Sequence, residues 1–437
     1  MSLPGGTLIG WVGDDFTGSA ASMEVLEFAG VPAVLFLDVP TEAQLARFPG
    51  VRAVGVATTA RSHSPGWMER ELPGVFRFLA GTGARVVHYK TCSTLDSSPE
   101  IGSIGKAIDL GAEVVKGPFI PCLLAAPKMR RYQAFGHLFA SGPGGVFRLD
   151  RHPVMARHPV TPMDESDVAR HLAKQTGKSF GLVSLEDLDG SPEAEVWSFD
   201  AMTDAHMGRV GQRMWDQSPV FAVGSQGVEY ALVEHWRAQG WLPAEDRGES
   251  AGPVERMLAV SGSVSPVTAA QIAWAEAHGF EGIELDAVAA VKGEATGAYE
   301  TALKALEAGR DPLIYTAKGP DDPAVARLRA AVPAGGMEEA NARIGAALGK
   351  VLARLLRQTG LKRAVISGGD TSGHASRELG LYAFTALAPT IPGAALLRAH
   401  SEDENLAGLE LALKGGQMGS DDYFGWIKRG GGAAGGE

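Results

Sequence analysis

The sequence predicts an α/β protein of two domains, each a mostly parallel sheet flanked by helices. Short apolar runs alternate with helical patterns along most of the chain, which is typical of parallel strands joined by crossover helices. The chain has 437 residues, more than one ordinary hydrophobic core accommodates. Residues 243–253 lack apolar periodicity and are rich in breakers, so they are the best linker candidate. We therefore expect domains at residues 1–242 and 254–429.

Apolar runs and capping residues define the individual elements. In the first domain the predicted strands are residues 8–12, 33–37, 54–57, 85–89, 122–125, 181–184 and 220–223. Helical patterns at residues 20–29 and 100–110 each end at a glycine. In the second domain the predicted strands are residues 257–260, 311–315 and 364–366, and the predicted helices are residues 266–277 and 338–358. Ser265 and Pro266 suit the N-cap and the first position of the helix at residues 266–277.

Composition and charge narrow the class of protein. The net charge of −11 and the lack of a Lys/Arg-rich run argue against a nucleic-acid partner. The two cysteines, Cys92 and Cys122, form no CxxC pair, so neither a disulfide framework nor a zinc site is indicated. No apolar run reaches about 18 residues, and no secretion signal opens the sequence. We therefore expect a cytoplasmic protein without a membrane partner.

The first predicted strand ends in a turn that carries two adjacent acids. Asp14 and Asp15 follow Gly13, and a helical pattern begins at Thr17. In open α/β sheets, ligands bind beyond the carboxyl ends of strands. Thr17 can cap the helix, so capping accounts for at most one of the acids. Three interpretations stay open: a structural turn, hydroxyl binding by either acid, and proton abstraction from a substrate hydroxyl by Asp15.

Basic and hydroxyl side chains suited to a small anion follow other predicted strands. A lysine, an acid and five hydroxyls occur within residues 90–98. Two prolines fix the backbone around a histidine and a threonine at residues 157–163. The candidate substrate-binding residues in these and the neighbouring stretches are Arg61, Lys90, Ser93, His158 and Thr161. Taken alone, the histidine suits a structural role at least as well.

Three glycine-rich turns in the second domain are typical of phosphate sites. They lie at residues 261–265, 367–373 and 414–419. Backbone N–H groups at such turns, together with a helix N-terminus, attract anions. One turn alone is weak evidence because tight connections need glycine, but three in one domain favour anion binding. The signatures GxxxxGK[ST] and GxGxxG after a strand are missing from the sequence.

Taken together, five segments resemble the four-carbon acid sugar kinase family. They are residues 13–18, 89–98, 158–163, 261–265 and 367–371, and the resemblance extends over residues 8–426. Members of this family use ATP to phosphorylate the terminal hydroxyl of tetronates, 3-oxo-tetronates and related branched acids. The resemblance implies an N-terminal domain that holds the acid sugar, a C-terminal domain that holds the nucleotide, and an active site in the interdomain cleft.

The resemblance also implies roles for individual residues. Asp15 would be the general base, with Asp14, Arg61, Lys90 and His158 as further substrate contacts. Arg61 and Lys90 would pair with the substrate carboxylate. Asp370 would act in catalysis as a ligand of Mg²⁺, which would bridge the phosphates of ATP. The implied ATP contacts are Ser263, Gly368, Gly369, Asp370, Thr371 and Gly416.

Departures from the family pattern leave the identity of the acid open. Many relatives have apolar-Pro-x-x-Gly-Arg where this chain has Ala126-Pro127-Lys128-Met129-Arg130-Arg131, a stretch expected to touch the substrate pocket. Relatives have Gly-Asn-Ile-Gly where this chain has Gly102-Ser103-Ile104-Gly105. Both 3-oxo-tetronate and 3-oxo-isoapionate fit. The stretch at residues 90–98, with cysteine rather than aspartate at position 92, resembles the oxo-acid kinases more closely than the plain tetronate kinases. The sequence does not fix the oligomeric state, and a homodimer is one of the states it allows. The alternative classes are a non-catalytic sugar-acid-binding protein and an NAD(P)-dependent oxidoreductase, although the dinucleotide fingerprint is missing.

Overall fold

Parallel strands joined by helices build both halves of this computed structural model, which confirms the predicted fold class. The structure describes residues 3–142, 144–158, 160–246, 248–333 and 335–432, without the side chain of residue 370. The chain divides into two compact units after Asp246, a position inside the linker candidate at residues 243–253. Unit 1 precedes this point, and unit 2 follows it.

Unit 1 is built on a parallel sheet. The unit contains β1 (Ile9–Gly13), β2 (Ala33–Phe36), β3 (Ala53–Ala57), β4 (Val86–Lys90), β5 (Ile120–Leu123), β6 (Arg131–Ala134), β7 (His137–Gly142), β8 (Gly145–Arg148), β9 (Phe180–Val183), β10 (Val196–Phe199) and β11 (Val220–Gly224). Neighbouring strands follow the order β2-β3-β1-β4-β11-β5-β10-β9 and pair in parallel. The strands β6-β7-β8 form a small antiparallel sheet. Because the main sheet is parallel, the loops that follow its strands lie along one edge.

Helices connect these strands and pack on the sheet. They are α1 (Phe16–Phe28), α2 (Glu42–Leu45), α3 (Pro65–Gly81), α4 (Ile104–Val114), α5 (Val168–Ala173), α6 (Asp204–Asp216) and α7 (Gly227–Ala238). The start predicted for the helix at residues 100–110 was wrong. Ser103 caps α4 by accepting the N–H of Lys106 at 3.1 Å, so the helix begins at Ile104.

Unit 2 is built on a mixed sheet that is mostly parallel. The unit contains β12 (Leu258–Ser261), β13 (Phe280–Glu284), β14 (Asp311–Tyr315), β15 (Arg363–Ser367), β16 (Leu381–Ala388), β17 (Leu396–Ser401) and β18 (Glu410–Lys414). Parallel pairing joins β13-β14-β12-β15-β18, and β17 is antiparallel to both β18 and β16. The strand predicted at residues 311–315 matches β14 residue for residue.

The helices of unit 2 include the clearest sequence predictions. They are α8 (Pro266–Ala277), α9 (Ala287–Lys292), α10 (Ala298–Glu307), α11 (Pro323–Ala331), α12 (Met337–Thr359), α13 (Gly369–Glu378) and α14 (Tyr423–Arg429). The predicted helix at residues 266–277 matches α8, with Ser265 as its N-cap. Within the described ranges, no helix combines the length and the apolar character needed to cross a bilayer.

Arg363, at the start of β15, is a buried cation that joins several elements of unit 2. Its side chain is 1% exposed and donates to Glu410 at 2.8 and 2.5 Å. It also donates to the carbonyl oxygens of Gly252, Ile427 and Lys428 at 2.8, 3.1 and 3.1 Å. One side chain therefore holds the start of unit 2, β18 and the end of α14.

We expect Arg363→Met to lower the free energy of unfolding by about 3–5 kcal/mol, because the substitution leaves Glu410 and three carbonyl groups without their partner. Urea unfolding followed by circular dichroism measures the change. Arg329→Met, on the exposed side of α11, is the control and should change stability by no more than about 0.5 kcal/mol. A loss below about 1 kcal/mol in the Arg363 variant would contradict this account.

Candidate functional site

The carboxyl edge of the unit 1 sheet gathers the acids and bases predicted from the sequence. Asp14 and Asp15 follow β1, Arg61 follows β3 in a short 3-10 turn, and Lys90 ends β4. Because β1 pairs in parallel with both β3 and β4, the three strand ends are adjacent. Asp14 donates its N–H to the carbonyl of Lys90 at 2.9 Å, and Arg61 donates its N–H to the carbonyl of Asp14 at 3.0 Å.

The guanidinium of Arg61 binds both acids. Nε and Nη2 donate to Oδ2 and Oδ1 of Asp14 at 3.1 and 2.7 Å. Nη1 donates to Oδ2 of Asp15 at 3.0 Å, and Nη2 lies 2.9 Å from Oδ1 of Asp15. Burial alone would lower the pKa of Arg61, but the charges of Asp14 and Asp15 outweigh burial and raise that pKa. Arg61 is therefore engaged by the acid pair, and its pairing with a substrate carboxylate stays a prediction.

Exposure distinguishes the two acids. The side chain of Asp14 is 1% exposed, and one of its oxygens also accepts the hydroxyl of Thr91 at 3.2 Å. The side chain of Asp15 is 30% exposed. A ligand at this edge therefore meets Asp15 first, while Asp14 fits a role in positioning Arg61.

Asp15, and not Thr17, caps α1. Its Oδ1 accepts the N–H of Gly18 at 2.9 Å, and the helix begins at Phe16, one residue before the predicted start. Burial alone would raise the pKa of Asp15, but the charges of Arg61 and Lys90 and the N–H of Gly18 outweigh burial and lower that pKa. Asp15 is therefore ionised at neutral pH and can accept a proton.

Lys90 is the second cation of this edge. Its side chain is 2% exposed, and Nζ donates to the carbonyl of Thr91 at 2.9 Å. A Cβ placed on Gly18 would lie within about 2.5 Å of this Nζ and of Oδ1 of Asp15, so a larger residue at this position would displace the lysine or the aspartate side chain. Asp14, Asp15, Arg61 and Lys90, called the quartet below, carry two negative and two positive charges.

His158 and Thr161 form a polar group with Asp96. Nδ1 of His158 accepts the N–H of Thr161 at 3.2 Å and lies 2.9 Å from Oγ1 of Thr161. The hydroxyl of Thr161 donates to Asp96. Because Nδ1 accepts a backbone N–H, the proton of the neutral ring lies on Nε2, which can donate to a ligand. Ser93 lies half-buried in the same loop as Asp96.

A buried histidine–glutamate pair is linked to Asp14 through a series of hydrogen bonds. Nδ1 of His88 lies 2.7 Å from Oε1 of Glu229, and both side chains are fully buried. Nε2 of His88 donates to the carbonyl of Gly224 at 3.1 Å, and this carbonyl also accepts the N–H of Thr91 at 2.7 Å. Hydrogen bonds thus lead from α7 to the threonine that contacts Asp14. The sequence analysis missed this pair, although ionisable residues inside apolar patterns were a usable signal.

The turns after β12, β15 and β18 meet at the carboxyl edge of the unit 2 sheet, where β15 lies between the other two strands. A Cβ on Gly416 would lie 2.5 Å from Oγ of Ser263. A Cβ on Gly262 or on Gly368 would lie 2.3 or 2.8 Å from Oγ1 of Thr371. The structure therefore brings together the residues assigned to the nucleotide in three separate turns.

The start of α13 offers backbone N–H groups to an anion. Gly368 takes the N-cap position with φ 121°, and Gly369 is the first helical residue. No described side chain caps this helix, and apart from the two neighbouring residues and the backbone of the helix no described atom lies within 4 Å of a Cβ placed on Gly369. The first N–H groups of the helix are therefore available for phosphate. The side chain of Asp370 lies outside the described structure, so its catalytic, nucleotide-binding and metal-binding roles stay predictions.

Lys414 is a buried cation at the same edge. Its side chain is fully buried, and Nζ donates to the carbonyl of Gly415 at 3.0 Å and to Oγ1 of Thr268 at 3.3 Å. Among the described residues no carboxylate pairs with it, and burial lowers the pKa of Lys414 to about 8. Ser367 lies beside it in the strand register, and Oγ of Ser367 is buried without a hydrogen-bond partner in the described part of the chain. This combination favours an anionic ligand.

A magnesium ion would need oxygen ligands at this edge. The described residues include no group of three His, Cys, Asp or Glu side chains that could hold a metal ion. The hydroxyls of Ser263 and Thr371 suit a hard cation, and Mg²⁺ takes most of its ligands from phosphate and water. The residues present therefore fit an ion that binds together with a nucleotide.

Two family models cover most of the chain. A sugar-binding N-terminal domain matches residues 9–232, and a nucleotide-binding C-terminal domain matches residues 258–424. The chain belongs to the four-carbon acid sugar kinase family. The resemblance drawn from five sequence segments is thereby confirmed.

The relatives of this acid sugar kinase match the chain over nearly the whole length of both proteins. The chain is 44% identical to a 3-oxo-isoapionate kinase from Paraburkholderia graminis, with 98% of this chain and 95% of the relative covered. It is 30% identical to a 3-oxo-tetronate kinase from Pseudomonas fluorescens, with 95% of each covered. A crystal structure of a Salmonella typhimurium LT2 protein has a TM-score of 0.76 at 25% identity, over 96% of this chain and 98% of that chain. These relationships favour a kinase over a non-catalytic binding protein or an oxidoreductase.

Both departures from the acid sugar kinase pattern have local explanations. Ser103 stands where relatives have asparagine, and it caps α4 as asparagine would. Arg130 stands where relatives have glycine, and its φ of 55° lies in the left-handed region that favours glycine. The backbone therefore takes a glycine-like turn immediately before Arg131.

Proposed function

We propose that this protein is an ATP-dependent kinase that phosphorylates the terminal hydroxyl of a 3-oxo sugar acid, with 3-oxo-isoapionate as the acceptor. The observation that carries this choice is the 44% identity to a 3-oxo-isoapionate kinase over 98% of the chain. Identity to a 3-oxo-tetronate kinase is 30%. Because ATP is the donor, the proposal places the protein in the cytoplasm. The homodimer stays a prediction.

In unit 1 the quartet supplies the base. Phosphoryl transfer depends mainly on alignment and on neutralisation of charge. Asp15 is the accessible carboxylate, so it accepts the proton of the terminal hydroxyl as that oxygen attacks the γ-phosphorus. Arg61 and Gly18 hold this carboxylate in place and keep it ionised. Asp14 positions Arg61, and Nε2 of His158 donates to an oxygen of the acid.

In unit 2 the three turns and Lys414 hold the triphosphate. The N–H groups at the start of α13 bind phosphate oxygens, as helix N-termini do. Lys414 contributes a positive charge that the described protein does not neutralise, and Ser263 and Thr371 line the same turns. Mg²⁺ bound with the nucleotide would supply further neutralisation of the transferred group.

A substrate screen tests the proposal. Coupled ADP release should be ATP-dependent and should rank 3-oxo-isoapionate first, with kcat/KM at least about tenfold above that for 3-oxo-tetronate, since one pocket contact of moderate strength gives such a ratio. Plain tetronates and an NAD(P)H-linked assay serve as controls. A higher kcat/KM with 3-oxo-tetronate would overturn the choice of acid. No ADP release with any acid would overturn the kinase proposal itself.

A further inference from the structure

The quartet contains as many acids as bases, so it carries no net positive charge. Both cations of the quartet already contact protein groups. Arg61 contacts both aspartates, and Nζ of Lys90 donates to a carbonyl and lies near Asp15. A sugar acid brings a carboxylate in addition to the hydroxyl that reacts. Binding this carboxylate away from water requires a further cation.

Arg131 lies beyond the carboxyl end of β5, at the same edge of the unit 1 sheet. The order β4-β11-β5 places β5, the main-sheet strand that precedes Arg131 in the chain, two positions from β4, which ends at Lys90. Arg131 and Ala126 exchange backbone hydrogen bonds at 3.0 and 3.2 Å, which close a tight turn with Arg130 in the left-handed region. The backbone therefore fixes where the side chain of Arg131 begins.

The guanidinium of Arg131 has no carboxylate partner among the described residues. Its Nη1 donates to the hydroxyl of Ser141 at 2.9 Å and lies 3.2–3.4 Å from the carbonyl oxygens of Met129, Arg130 and Ser141. Its Nε is buried and has no hydrogen-bond partner in the described part of the chain. Carbonyl oxygens orient the group but leave its charge uncompensated.

Cys92 follows Lys90 by two residues. A thiolate at this position would raise the pKa of both Arg61 and Arg131. Burial lowers the pKa of Arg131, Cys92 opposes this effect, and the charge of Arg130 adds to it. Arg131 is thus a partly buried cation that an anionic ligand would stabilise.

We propose that Arg131 binds the carboxylate of the sugar acid, while Asp15 receives the proton from the hydroxyl at the other end of the molecule. This inference rests on the proposed kinase function and assigns the carboxylate to a residue other than Arg61. A planar guanidinium can donate two parallel hydrogen bonds to a carboxylate. Nε and Nη2, neither of which has a hydrogen-bond partner among the described residues, form the edge of the guanidinium that could do so.

Steady-state kinetics of Arg131→Gln and Arg131→Lys, with 3-oxo-isoapionate and with its primary amide, test the inference. In the glutamine variant the KM for the acid should rise about 10- to 100-fold, the range for losing a hydrogen-bonded charged partner. The KM for ATP should stay unchanged. The wild type should prefer the acid to the amide by a similar factor, and the glutamine variant should lose that preference. The lysine variant keeps the positive charge but lacks the two parallel N–H donors of arginine, so its KM for the acid should lie between those of the wild type and the glutamine variant.

Arg77→Gln is the control, because it removes an exposed cation of α3 that has no assigned binding role and should leave the KM for the acid unchanged. If the wild type turns over acid and amide equally well, the inference is overturned without any variant. It is also overturned if Arg131→Gln keeps the preference for the acid. If the wild type releases no ADP with any acid, the proposed function fails instead, so the two failures are distinguishable.

Discussion

Asp15→Asn should lower kcat about a thousandfold, within the range for loss of a general base, while the KM for the sugar acid changes much less. The amide oxygen of asparagine can still accept the N–H of Gly18, because asparagine and aspartate cap helices about equally well. The substitution therefore removes the basic oxygen and its charge but keeps the start of α1. ADP release at saturating ATP and acid measures kcat.

Asp15→Ala separates catalysis from capping. It should lose activity to the same extent as the asparagine variant and, in addition, about 1 kcal/mol of stability, because alanine provides no cap. Normal kcat with a raised KM in Asp15→Asn would show that Asp15 only binds the substrate. Comparing the two variants by urea unfolding shows whether the loss of activity follows the loss of stability.

The pH dependence of the wild type follows from the lowered pKa of Asp15. Because Arg61 and Lys90 hold this pKa below the usual value of 3.8, the carboxylate stays ionised as the pH falls from neutrality toward about 4. The ionised form contributes stability that is present at neutral pH and is lost only as the pH falls through the lowered pKa. We therefore expect no loss of kcat from Asp15 between pH 7 and pH 5.

Local patterns in the sequence predicted seven of the eight strands in the main sheet of unit 1, three strands of unit 2 (β12, β14 and β15) and the turns that carry the candidate site. An apolar run ending at glycine predicted β1, an apolar run leading into the glycine-rich turn at residues 367–373 predicted β15, and Ser265 before Pro266 predicted the start of α8. Parallel topology then brings strand ends to one edge, so residues as far apart in sequence as Asp14 and Lys90 were expected to be near one another.

These local patterns do not predict which residues far apart in the sequence contact one another. The sequence shows that Arg61 and Lys90 are cations near an edge, but only the strand register shows that Arg61 binds two aspartates rather than remaining available to a ligand. Thr17 was expected to cap α1 because threonine is a common cap, yet the chain turns earlier and Asp15 takes that position. The half-exposed strands β6 and β8 have little apolar periodicity, so they were not predicted.

Lys414 was missed although the sequence contained a signal. It ends the apolar run of β18 and precedes two glycines, just as Lys90 ends β4 before a polar loop. A lysine at the end of a buried strand has its stem in the core and its charge at the edge where ligands bind. The sequence does not show whether this lysine has a carboxylate partner. The structure shows that it has none among the described residues.

Lys414→Met should raise the KM for ATP about 100-fold, because removing one member of a desolvated charge pair costs about 3 kcal/mol of binding free energy. The same substitution should raise the Tm of the nucleotide-free protein by about 2–4 °C. This follows because the described protein does not compensate the buried charge, and methionine fills a similar volume without it. A gain in stability together with a loss of affinity is typical of a residue retained for binding.

The pH dependence of ATP binding gives an independent test of Lys414. Its pKa is lowered by burial to about 8, from the usual 10.5, so the KM of the wild type for ATP should rise as the pH passes 8, and that of Lys414→Met should not. Between these two values the unfolded chain binds the additional proton, so the stability of the free protein should increase with pH across this range. Lys362→Met, at an exposed position before β15, is the control and should change neither quantity. If Lys414→Met destabilised the free protein while leaving the KM for ATP unchanged, the lysine would be a structural residue, and the phosphate site would rest on the backbone of α13 alone.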